Sequence, residues 1–72
     1  MALTPEQRER IKVSMDRYKI FIDHGVPLWE GSDIDTVNKV RDELGMEVHT
    51  SFSCGRCIPE LVFKDVYRLY IQ

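Results

Sequence analysis

The chain is short of the residues that staple, ligate or break: its 72 residues hold two cysteines, two histidines, three prolines and four glycines. No apolar run approaches the roughly 20 residues of a membrane span. The opening Met1-Ala2-Leu3-Thr4-Pro5-Glu6 turns polar at once and lacks the apolar core of a signal peptide. The expectation is therefore a protein kept in a reducing cytoplasm, away from membranes. Charge of one sign is scarce too. A formal net charge of −2 and a pI near 5.6 give no global attraction to nucleic acid or to an anionic membrane, so any basic surface must be local. Repeats, low-complexity tracts and linkers are missing. So are a Ser/His/Asp set, a phosphate-binding glycine loop and an HExxH pattern, and a chain this short has little room for a walled pocket. An enzyme is not expected.

What is there suits one folded unit. Hydrophobic residues make up 43% and charged residues 31%, an ordinary globular balance rather than that of a disordered tail. Residues 1–72 are read as a single helical domain. A domain of this size buries roughly 60% of the surface its unfolded chain exposes, and such chains often add a metal, a disulfide or a partner to a small core.

Periodicity predicts three helices. Thr4-Pro5-Glu6-Gln7 sets a capping hydroxyl before Pro at the first helical position and Gln at the third, so the first helix starts at Pro5. Ile11, Met15, Tyr18 and Ile22 form its stripe, Phe21 widens it, and Gly25 stops it. The following Val26-Pro27-Leu28-Trp29-Glu30-Gly31 is a connection with unusually large apolar groups. Trp29 is read as a core plug, with an exposed partner anchor as the functional alternative. A second helix is expected from Ser32, capped by Ser32 with Asp35 at capping-box spacing; Val37, Val40 and Leu44 point inward, and Gly45 closes it. Met46, Val48 and Phe52 alternate roughly, which suggests an irregular or short extended segment without a partner strand. The third helix runs from about Ile58 to Tyr70, with Pro59 confined to its first turn. Its apolar residues cover roughly half of the helix at about 100° per residue. Either both other helices flank it, or Phe63, Tyr67 and Tyr70 form an exposed edge that meets another chain. The fold class is mainly α: a three-helix domain with that irregular segment before the last helix.

Cys54-Gly55-Arg56-Cys57 admits three readings. Two thiolates at this spacing can reach one zinc ion, and His49 and His24 are the only histidines available as further ligands. The spacing is not that of a standard finger, and each histidine has a plainer role, His24 at a helix C-terminus and His49 on the surface. A thiol–disulfide oxidoreductase would use the same pair at a helix N-terminus, but that chemistry normally sits in a βαβ unit for which the strands are lacking. The third reading is structural: two small thiols, or a reversible local or intersubunit disulfide between them, and a tight Gly55 turn that seats the last helix. This is the favoured one, and no cofactor is expected, zinc being the alternative.

On the first helix Arg8, Lys12 and Lys19 share a face that could touch phosphates, but interleaved acids favour a solvated face, so nucleic acid is a disfavoured partner. The segment from Val37-Asn38-Lys39-Val40 through Ser53-Cys54-Gly55-Arg56-Cys57-Ile58 to Val66-Tyr67-Arg68-Leu69-Tyr70 resembles small uncharacterised proteins encoded by tailed bacteriophages. The likeness spans roughly the last 36 residues. It implies a phage origin and a role in the particle or in binding a host factor, in the host cytoplasm or the virion, and carries no catalytic residue. The expected function is a protein–protein interaction protein or homo-oligomer that uses Phe63, Tyr67, Tyr70 and Trp29. A zinc-stabilised nucleic-acid-binding module built on Cys54, Cys57, His49 and His24 is the alternative.

Overall fold

In the computed structural model the described residues are 2–49 and 57–72. They form α1, Pro5–His24, then α2, Gly31–Glu43, then a π-helical turn, Pro59–Phe63, that leads into α3, Lys64–Tyr70. The described residues contain no strand, and the mainly α, three-helix expectation holds.

α1 begins where its sequence says it should. The Gln7 N–H donates to Thr4 Oγ1 at 3.1 Å and the Thr4 N–H donates to Gln7 Oε1 at 3.0 Å, a reciprocal capping box with Pro5 at the first helical position. Gly25 ends it at φ 73°, its N–H bonded to the Phe21 carbonyl at 2.8 Å. Ile11, Met15 and Tyr18 are buried as expected, but Ile22 is exposed. Ile22 points along the same stripe, yet the helix runs past the elements that cover its earlier turns.

α2 is capped two residues earlier than its hydroxyl suggests, by Glu30 rather than Ser32. The reason is tertiary. Asp33 reaches back to accept the Glu30 N–H at 2.7 Å while also accepting from Ser14 and Arg17 of α1, and those partners fix the register. At the other end the Met46 N–H bonds Arg41 O at 2.8 Å and the Gly45 N–H bonds Asp42 O at 3.1 Å around a left-handed Gly45. This is a Schellman closure.

The third helix is already helical at Cys57 and Ile58, and its first turns are wound as π rather than α: the Lys64 N–H bonds the Pro59 carbonyl, five residues back. α1 and α2 both pack on this turn, and α1 also packs on α3. The broad apolar arc of the last helix is thus covered from two sides within one chain. The core is Ile11, Met15, Val37, Val40, Val62, Phe63 and Val66, all fully buried, with Leu3 and Tyr18 nearly so.

Two polar residues of α2 do what a neighbouring strand would do. The Asn38 side-chain amide donates to His49 O at 2.6 Å and accepts the His49 N–H at 3.1 Å, while Arg41 Nε donates to Glu47 O at 2.7 Å. Residues 46–49 are held along α2 without regular structure, Met46 packed on the core and Val48 exposed. Phe52, the last member of the expected alternation, lies outside the described residues.

Candidate interaction surface

Tyr18, Phe21, Trp29, Phe63 and Tyr67 form one connected group of aromatic side chains. Phe63 lies at its base, 5.4 Å from Trp29 and 5.7 Å from Tyr18 between ring centroids. Tyr18 meets Tyr67 edge-on at 5.1 Å, and Trp29 meets Phe21 edge-on at 4.9 Å. These separations and tilts are those in which aromatic quadrupoles attract. Burial raises the Tyr18 hydroxyl's pKa, and the charges of Glu60 and Asp65 add to this, opposed by Arg68.

Phe63 corrects the sequence reading. It is 0% exposed and cannot belong to an exposed edge. Coverage by both α1 and α2 at the π turn removes it from the surface. Tyr67, Tyr70 and Trp29 remain half-buried, so each offers part of a ring to solvent. Trp29 is partly the expected plug, seated on Phe21 and Phe63. Ile22, Val26 and Leu28 are exposed, and these span the end of α1 and the connection to α2. This is the largest concentration of exposed apolar side chains in the described sequence.

Tyr70 is fixed by a cation. Arg8 Nη1 donates to Tyr70 O at 2.6 Å, Nη2 donates to Leu69 O at 3.3 Å, and the guanidinium lies 5.8 Å from the Tyr70 ring centroid. Positive charge thereby meets the negative end of α3's dipole. Arg10 bonds Glu43 at 2.8 Å and Arg17 bonds Asp33 at 2.6 Å. Three arginines of α1 tie it to the other two helices, so of Arg8, Lys12 and Lys19, the face read as a phosphate contact, Arg8 is already committed. Sequence alone did not mark these cross-ties, because a guanidinium that reaches a distant carbonyl leaves no local spacing signal.

Asn38 and Arg41 were missed for a related reason. Both are at least nine-tenths buried, with 5% and 4% of their surface exposed, despite polar side chains. Arg41 Nη1 also donates to Val62 O at 3.2 Å, so one guanidinium joins α2, the segment after it and the π turn. Carbonyls and the C-terminal end of α2 supply its negative environment; among the described residues it has no ion pair. Their three-residue spacing beside Val37 and Val40 was the signal that widens the buried face.

The candidate zinc ligands are not gathered among the described residues. His24 is exposed at the end of α1, and His49 is held through its backbone by Asn38. No group of three or more His, Cys, Asp or Glu suited to a metal occurs among the described residues. Cys57 is half-buried and disulfide-bonded, and Cys54 lies outside those residues. Among the same residues no helix is long and apolar enough to cross a membrane. No protein-family model, curated protein or solved structure matches the chain.

Proposed function

We propose that this chain is a small, non-enzymatic protein–protein interaction protein that binds a protein partner through Trp29, Tyr67 and Tyr70 with the apolar Val26 and Leu28 beside them. The observation that carries this reading is the half-exposure of Trp29 and Tyr67, whose rings contact buried Phe63 and Tyr18, with Tyr70 held by Arg8 one turn on. Rings held this way lose little side-chain freedom on binding, and Trp and Tyr are enriched among the residues that dominate binding energy. A minor component of a phage particle, or a binder of a host factor, is the setting that the resemblance to phage proteins suggests.

Photo-crosslinking tests the proposal. With benzoylphenylalanine in place of Tyr67, irradiation in cells producing the protein is expected to yield one discrete adduct, lost on Leu28→Lys. The same probe at exposed Asp42 is expected to yield none. An adduct from Asp42 but not from Tyr67 would put the partner elsewhere.

A further inference from the structure

The outward face of α1 carries a pattern that the fold does not use. Val13 and Ile20, seven residues apart, are 60% and 37% exposed, on the side of α1 away from Ile11, Met15 and Tyr18. Glu9, Asp16 and Asp23 recur at the same seven-residue interval, and all are exposed. At 3.6 residues per turn these five alternate at four- and three-residue steps along one seam. Written as heptads, β-branched residues take position a and acids take position d. Lys12 and Lys19 border the seam on one side; Arg10 and Arg17, on the other, are already paired with Glu43 and Asp33. The face therefore offers a row of lysines beside a row of acids. Among the described residues none of Glu9, Asp16 or Asp23 enters an ion pair.

Charge decides the occupant. A second copy docked in parallel would set acids against acids at every d layer. Docked antiparallel, it would press carboxylates against Val13 and Ile20, which costs desolvation without a partner. Neither arrangement is favourable. We propose that this face of α1 docks an amphipathic helix of a different protein, with aliphatic residues at a, lysine or arginine at d, and acids at the flanking position that faces Lys12 and Lys19. Such a helix meets both open charge rows with the opposite sign while covering Val13 and Ile20. This site is distinct from the Trp29–Tyr67 surface and does not depend on it.

The test is calorimetric titration of the full chain with a synthetic three-heptad peptide carrying Ile at a, Lys at d and Glu at e and g. Saturable binding that weakens with added salt is expected. Asp16→Lys should weaken it by about tenfold or more, and a peptide with Asp in place of its central d lysine should restore it. Val13→Ser with Ile20→Ser should remove it, while Tyr67→Ala leaves it unchanged. Circular dichroism of each variant shows whether the helices persist; Asp16, Val13 and Ile20 are exposed, so their variants are expected to fold, and the half-buried Tyr67 is checked in the same way. Absence of saturable binding, indifference to Asp16→Lys, or sensitivity to Tyr67→Ala in place of Val13 and Ile20 overturns the proposal.

Discussion

Asp33 is where one residue does most for the fold. Buried, it is penalised as an anion by desolvation, but the Glu30 N–H, the Ser14 hydroxyl and the Arg17 guanidinium reverse this, and its pKa lies below the usual carboxylate value. Its contribution to stability is complete above about pH 3.9, where an unfolded aspartate is already ionised, and fades as pH falls through the lower folded-state value. Asp33→Ala is expected to cost about 2–3 kcal/mol, because it strands a buried hydroxyl and an N–H and frees the charge of Arg17. Urea unfolding at pH 7 measures that loss, and a pH series should show the variant's stability falling less steeply on the acid side. Phe63→Ala removes the base of the aromatic group and should cost about 3–5 kcal/mol, which leaves at most about 2 kcal/mol of a total of the order of 5 kcal/mol and so up to about half of the molecules unfolded. Near-ultraviolet circular dichroism checks it, and Lys39→Ala, at an exposed position, should leave the spectrum unchanged.

At the scale of elements, the ends of the helices were more legible than their neighbours. The Thr4 cap and the Gly25 and Gly45 stops are local chemistry, written within a few residues and readable there. Gly45→Ala meets no atom within 4 Å, so its cost is the left-handed backbone alone, about 1 kcal/mol by thermal unfolding. The start of α2 was misplaced because two acceptors, Ser32 and Asp33, both satisfy a capping pattern, and the choice rests with Ser14 and Arg17 of another helix. The half-buried Tyr67 and Tyr70 were picked from periodicity alone. Phe63 was assigned to the wrong side because periodicity gives the width of an apolar arc but not how much of it neighbours cover. Asn38's place beside Val37 marks the edge of the buried face, but nothing local names His49 as its partner. Asn38→Ala should release His49, with a cost of about 1–3 kcal/mol and faster amide hydrogen exchange at His49 than in the parent.

Taken as a whole molecule, the protein is held by a small apolar core and by charged side chains that reach across it. Arg8, Arg10 and Arg17 cross from α1 to α3 or α2, and Arg41 joins α2 to the π turn. The planar fork of arginine suits carbonyl and carboxylate partners in a way that a lysine does not. Replacing Arg8 with Lys should therefore loosen the end of α3 without unfolding the domain, which fraying of the Leu69 and Tyr70 amides in hydrogen exchange would show.

The three ties that leave α1, from Arg8, Arg10 and Arg17, all turn toward the other helices. The consequence is a division of labour around a single rod: one side of α1 answers to the fold, and the other is released from it. Substitutions at Glu9, Val13, Asp16, Ile20 and Asp23 change what the protein presents while leaving what holds it together untouched. Two related chains could diverge completely along that side and still superimpose, so the record of a changing partner would accumulate there and nowhere else on the helix.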